Sequence, residues 1–224
     1  MAAKDIIRKT LLSFNDVFAD IVNGLLFKGE DVVQAEDLEP FPLDAVCKAD
    51  QKPWEKDGVE TKCWRGQCAI RIVLLGIENQ TQADRDIPFR VMGYDGTVYQ
   101  AQIDLENGKD GQCRSNRNPR YGVITLVLYF GYRERWNEAK TLHENIGSAS
   151  KKLLPFVNDY RVNLFEIAWL SDEQAACFKS DFRFIVDYFR QMRESGDYVP
   201  SIEGITHGYE VSQLISVLTK TANQ

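Results

Sequence analysis

Glu78 and Gln80 are the residues whose types and spacing best suit chemistry in this chain. They follow the aliphatic run Ala69 to Ile77, which is interrupted only by Arg71 and Gly76. A run of this kind reads as a strand covered on both faces. In an extended chain, residues i and i+2 point to the same side, so Glu78 and Gln80 are expected to face together into whatever lies at the strand's end. Ligands commonly bind at strand ends in open α/β sheets. A carboxylate there can ligate Mg²⁺, and a nearby amide can orient water or a phosphate oxygen. The bland alternative is a polar strand exit, Asn79-Gln80-Thr81-Gln82, leading into a loop.

The elements that must hold this pair follow from periodicity. Ile7, Leu11, Phe14, Phe18, Ile21 and Leu25 keep the three-then-four spacing of one helical face, predicting an amphipathic helix over 4–27. Asp16, Asp20 and Asn23 fall near its opposite, solvated face, and Asn15 lies close to the edge. Residues 28–58 are polar and hold Pro40, Pro42 and Pro53, which reads as a long, partly ordered connection. Val59 to Trp64 can form a short strand. Residues 87–103 are ambiguous, because Val91, Tyr94, Val98 and Gln102 suit a helix while Gly93 and Gly96 weaken it. Residues 108–122 read as a loop, 122–130 and 162–170 as strands, and 142–160 as a helix with a boundary or kink at Pro155. Ser171 with Gln174 is a capping-box signature opening a helix over 172–195, and a last helix runs over 208–220. The order predicts an α/β fold, a mixed sheet with helices on its faces, with no linker that would split it.

Composition narrows the classes. In 224 residues, 44% are apolar and 27% charged, which suits a globular chain rather than a disordered one. The apolar runs are too short to cross a bilayer, and the first residues carry Lys4, Asp5, Arg8 and Lys9, so neither a membrane span nor a signal peptide is expected. Five cysteines without a Cys-x-x-Cys suit reduced thiols in a cytoplasmic protein. Zinc held by Cys63, Cys68 and either His143 or His207 is the sharper alternative, and the spacing does not favour it. The net charge of −6 resides in residues 28–60, which hold ten acids and four lysines. The rest of the chain is balanced, so total charge does not decide for or against a nucleic-acid partner.

Arg114, Arg117 and Arg120 sit in a loop rich in Gly, Asn and Pro, where three guanidiniums suit contact with a phosphate backbone or simply face solvent. Arg133, Arg135 and Trp136 form a smaller basic-aromatic cluster, in which the Trp packs inward or stacks on a base.

The run Ile70 to Gly96, with its Gly76-Ile-Glu-Asn-Gln-Thr-Gln82 and Ile87-Pro-Phe-Arg-Val-Met-Gly-Tyr-Asp-Gly96, resembles the recombination-promoting nuclease (Rpn) or putative transposase family of the PD-(D/E)XK nuclease superfamily. Ser13 to Asp20, Thr125 to Tyr132, Phe156 to Tyr160 and Phe178 to Phe182 match it in order, so the likeness spans about residues 5–218. The resemblance implies a single restriction-endonuclease-like domain over 1–224, DNA as partner and Mg²⁺- or Mn²⁺-dependent phosphodiester hydrolysis. It makes Glu78 a metal ligand, puts Gln80 where the superfamily carries a water-positioning Lys or Gln, and matches Arg90 to a family Arg that contacts phosphate or braces the site. The partner acid, an Asp in relatives, aligns through Lys62-Cys63-Trp64 with Val59. Asp57 and Glu60 flank it. Asp57 is the preferred substitute and second ligand, because Glu60 and Lys62 share a face and can pair. Should neither acid serve, the implied protein is a nuclease fold that binds DNA or a partner without cutting. Oligomeric state is open, a homodimer included. Against a metabolic hydrolase, the chain has no Gly-x-Ser-x-Gly, no phosphate-cradling loop and only two histidines.

Overall fold

The computed structural model describes residues 11–40, 59–64, 70–77, 83–106, 120–146, 152–201 and 203–222. Its centre is a five-stranded mixed sheet in the order β1-β2-β3-β4-β5, the strands being Leu38–Pro40, Val59–Trp64, Ile70–Ile77, Val123–Tyr129 and Asn163–Glu166. β2 runs antiparallel to β1 and β3, whereas β3, β4 and β5 are parallel. Parallel neighbours need a crossover, and between β3 and β4 it is a helix over Ile87–Glu106. In chain order the helices are α1 Asn15–Leu26, α2 Ile87–Glu106, α3 Leu142–Ile146, α4 Asp172–Ala175, α5 Phe182–Glu194 and α6 Gly208–Ala222. The fold is α/β, as its order of elements predicts.

β4 is buried on both sides. Leu126 and Leu128 join Phe18 and Ile21 of α1, Phe182, Ile185 and Phe189 of α5 and Leu214 of α6 in one core. Val127 and Tyr129 turn the other way, onto Ile87, Val91 and Tyr94 of α2 and onto Trp136. Each fully buried Phe here removes enough apolar surface from water to contribute ~1.5–3 kcal/mol.

Several elements differ from the sequence reading, each for a local reason. The expected helix over 4–27 is broken at Phe14, whose backbone is extended (φ −67°, ψ 130°). There the Phe14 ring stacks on His207 at 3.9 Å, and the Ser13 carbonyl turns aside to accept from Lys62 Nζ. Residues 4–10 lie outside the described residues. The described part of the supposed connection, 28–40, contains a 3-10 turn at Ala35–Asp37 and the edge strand β1, where Pro40 is tolerated because an edge has unpaired donors to lose. The ambiguous segment 87–103 is helical, because Val91, Tyr94, Val98 and Gln102 are all buried on one side and outweigh the two glycines. Of the helix expected over 142–160, the described residues show α3, a 3-10 turn at Leu154–Phe156 and an extended bridge of Arg161 to Thr141, and residues 147–151 lie outside them. The strand expected over 162–170 stops at Glu166, and a 3-10 turn then buries Ile167 and Ala168 side by side.

The solvated polar face assigned to the first helix is also corrected. Asp20 and Asn23 are buried. Asn23 pairs with the backbone of Val33, donating to its carbonyl and accepting from its amide, both at 2.9 Å. The Asp20 carboxylate accepts from the Lys179 amide at 2.9 Å, from the Ser180 amide at 2.9 Å and from the Ser180 hydroxyl at 2.6 Å. That clamp is why the helix expected over 172–195 is interrupted: the capping box of Ser171 and Gln174 forms and opens α4, but the chain then turns through Asp20's grip before α5 begins. Replacing Asp20 by Ala leaves those donors without a partner and is expected to cost ~2–4 kcal/mol, read as a lower urea midpoint at unchanged slope. A midpoint equal to wild type would contradict the clamp.

A second buried carboxylate ties α2 to the sheet. Asp95 accepts from the Thr125 hydroxyl of β4 and from the Tyr160 hydroxyl. Burial pushes its carboxyl up to about 6, against the opposing pull of the Thr125 hydrogen bond. Because the folded value lies above the ordinary 3.8, the folded state binds this proton more tightly than the unfolded chain does. The associated stability is full below about pH 4 and is lost as pH rises through about 6, a span worth at most ~3 kcal/mol. Asp95→Asn is therefore expected to match wild type near pH 4 and to exceed it in stability near pH 8, by denaturant titration at both. An equal difference at the two pH values would contradict the assignment.

Candidate functional site

The strand directions gather four chain ends on one edge of the sheet. β3, β4 and β5 finish there at Ile77, Tyr129 and Glu166, which are neighbours in register. β2 runs the other way and so begins there, with Val59 opposite Leu75 and Glu60 opposite Leu74. Edges formed by the carboxyl ends of parallel strands are the usual ligand sites of α/β sheets.

Glu78 follows Ile77 directly, with Gln80 two residues further on, and Asp57 precedes Val59 by two. All three lie outside the described residues, as do Arg114 and Arg117. Glu60 is described and is half-buried in β2. Two residues along the same strand face, Lys62 is buried at 2% exposure. Its ammonium donates to the Ser13 carbonyl and to Asn15 Oδ1 at 2.8 Å, and lies 5.9 Å from the centre of the Phe18 ring. Burial lowers the Lys62 pKa, and the Glu60 carboxylate works against that fall. Lys62 thus reaches across to α1 and fixes the strand that carries Glu60. Asn15, which the sequence places near the edge of the helical face, serves the same purpose: its amide donates to the Ala35 and Leu38 carbonyls at 3.0 and 2.8 Å. Asp16 is exposed, with its carboxylate 3.5 Å from His207 Nε2.

Arg90 stands in the first turn of α2, where it ion-pairs with Asp84 at 2.5 Å and donates to the Tyr94 hydroxyl at 3.3 Å. It braces the entry into α2 after the strand-end loop. Arg120 is exposed but sits ahead of Val123, the first residue of β4, at the opposite end of the strand from Tyr129. Six residue steps of strand put ~20 Å between those ends, so Arg120 is not brought together with the edge that Glu78 follows.

Other cations occupy that edge. Arg133 and Arg135 leave β4 there and are exposed. Arg135 is 3.9 Å from Glu166 and lies over the Trp169 ring at 4.8 Å. Trp136 turns inward: it is buried, edge-on to Tyr129 at 5.3 Å, its amide donates to Glu166 and its indole to the Glu138 carbonyl. Beside it opens a cleft of about 470 Å³, lined by Arg85, Trp136, Glu138, Lys140, Glu144 and Asn145. The sequence reading missed this cleft, since its walls come from segments sixty residues apart; the only signal was Trp136 next to Arg135.

Among the described residues no three His, Cys, Asp or Glu side chains gather in a way that could hold a metal. Of the residues weighed for zinc, Cys63 is a free thiol in β2, and Cys68 lies outside the described residues. His143 Nε2 is 2.7 Å from the Val157 carbonyl, while His207 is stacked on Phe14. Among the described residues no helix is long and apolar enough to cross a membrane.

Residues 67–216 match the family model described as "putative transposase, YhgA-like". No curated protein and no solved structure matches the chain. The matched span takes in β3, the residues Glu78 and Gln80 that follow it, the crossover α2, β4, β5 and most of α6. This chain therefore belongs to the YhgA-like putative transposase family, the group of the recombination-promoting nucleases.

Proposed function

We propose that this protein is a metal-dependent DNA endonuclease of the recombination-promoting type, hydrolysing phosphodiester bonds from a restriction-endonuclease-like core. The observation that carries the reading is the sheet edge at which β2 begins and β3 ends, with Glu78 and Gln80 next in the chain. Family membership supplies the expectation that the partner is DNA.

The donor set suits a hard cation, since Glu78, Glu60, Asp57 and Gln80 all offer oxygen. Bound Mg²⁺ or Mn²⁺ would lower the pKa of an attacking water and offset charge on the leaving oxygen. Glu78 is the first ligand in this reading. For the second, Asp57 is preferred: Glu60 lies opposite position 74, four residues or ~13 Å short of position 78 along the strand, whereas the same register carried past Val59 would bring Asp57 beside it. Gln80 has no basic group, so its amide orients the water. Arg133 and Arg135 stand nearer this edge than Arg120 and are better placed to meet the phosphate backbone, with Arg114 and Arg117 as further contacts and Arg90 as a brace.

One observation favours a second reading. Val59, at the position where relatives carry the Asp, heads β2 at this edge, which suits a nuclease fold that holds DNA without cutting it.

Supercoiled plasmid incubated with the protein and Mg²⁺ or Mn²⁺ separates the two. Nicked circles are expected, with Glu78→Ala and Asp57→Asn slower by roughly 100-fold or more and Glu60→Gln close to wild type. Salt-sensitive DNA binding without nicking would establish the second reading. Unchanged nicking in Glu78→Ala would overturn the site.

A further inference from the structure

Trp169 gathers arginines from two distant segments of the chain. It follows the exit of β5, and its indole donates to the Gly131 carbonyl at 3.1 Å, two residues beyond the end of β4. The ring therefore stands at the edge where β3, β4 and β5 finish. The Arg135 guanidinium lies 4.8 Å from its centre, and that of Arg193, from the last turn of α5, lies 5.0 Å from it. Two like charges are thus held within ~10 Å of each other by cation–π attraction to one indole. Arg133 adds a third, exposed and 5.8 Å from the Tyr132 ring.

The nearby acids do not exhaust these cations. Glu166 is 3.9 Å from Arg135, beyond hydrogen-bond length, and one of its oxygens already accepts from the Trp136 amide. Arg193 pairs with Glu194, its exposed chain neighbour, and a surface pair of that kind is worth little and exchanges readily. A guanidinium carries five donors, so each arginine keeps several for another anion. Glu134 stands exposed between Arg133 and Arg135 and opposes them, while Arg190, one turn before Arg193, pairs with Asp172.

We infer that Arg135 and Arg193, held by Trp169, form a clamp for the phosphate backbone to one side of the scissile bond. This rests on the reading above, in which DNA meets this edge. Neighbouring strands are ~4.8 Å apart, so the exit of β5 lies on the order of 10 Å from that of β3, which Glu78 follows. A backbone that brings one phosphate to the end of β3 carries its neighbours across the ends of β4 and β5, within reach of long arginine side chains. Guanidiniums match phosphate oxygens in pairs, and a ring that already holds them reduces the freedom lost on binding. With two guanidiniums over it and the main core beside it, Trp169 is a positioning residue rather than a platform for a base. Contacts of this kind fix where DNA lies and carry no sequence information.

Fluorescence anisotropy of the full chain with labelled DNA, two duplexes of unrelated sequence and one single strand, tests this without divalent ions, so that cutting plays no part. Titrations between about 50 and 200 mM KCl give the slope of log affinity against log salt. Arg135→Gln and Arg193→Gln are each expected to weaken both duplexes by roughly three- to tenfold and to flatten the slope by about 1. Glu134→Gln is expected to tighten binding. Trp169→Leu removes no charge, yet it is expected to weaken both duplexes as either arginine change does, with Trp169→Phe keeping most of the affinity. Unchanged slopes in both arginine variants, with wild-type binding intact, would overturn the clamp and leave the endonuclease reading standing. A Trp169→Leu loss confined to the single strand, the mark of base stacking, would do the same. A wild type that binds neither duplex would overturn both.

Discussion

The parallel pairing of β3 with β4 is the constraint on which the rest of the molecule depends. Adjacent parallel strands cannot be joined by a tight turn, so the chain must cross the sheet between them, and α2 is that crossing. Once α2 lies on one face, β4 has a helix above and must have another layer below. Its successive residues divide accordingly, Leu126 and Leu128 to α1 and α5, Val127 and Tyr129 to α2. The same pairing sends the ends of β3, β4 and β5 to one edge, and the antiparallel β2 brings its start to meet them. Fold and candidate site therefore follow from one register.

Buried polar groups then set the position of the layers. Asp20 holds the turn ahead of α5, Asp181 accepts from the amides of Thr206 and His207 at the entry to α6, Asn23 holds the segment after α1, and Lys62 with Asn15 joins α1 to β2. Apolar packing has no direction, whereas these contacts do, and each is costly to leave unmet. Asp95 does the same on the other face, at the expense of a carboxyl held well above its ordinary range.

The strands were legible because their aliphatic runs are short, β-branched and bounded by turn residues; β2 spans the residues expected of it and β3 and β4 fall within a residue of expectation. Periodicity misled wherever a tertiary contact interrupts an otherwise continuous pattern. Nothing local announces that Asp20 will take two amides from residues 179 and 180, or that the Ser13 carbonyl will accept from Lys62 where the helix breaks at Phe14. Polar residues on a helical face look solvated until the partner segment is known, as Asp20 and Asn23 do. At the edge, Asp57 and Glu60 both read as candidate carboxylates, and which of them lies nearer position 78 depends on register, a property of two strands. Arg120 looked well placed by composition alone. Only the direction of β4 shows it to be at the far end.

The site reading comes down to whether oxygen ligands from two strands share one cation at the edge where β2 starts and β3 stops. Titrating Mn²⁺ into the protein, followed by the loss of the free-ion electron paramagnetic resonance signal, measures that directly and without reference to cleavage. The account predicts one saturable site in wild type, lost in Glu78→Gln and weakened in Asp57→Asn, with DNA absent. Manganese binding of equal strength in wild type and Glu78→Gln, or no saturable site at all, would contradict it.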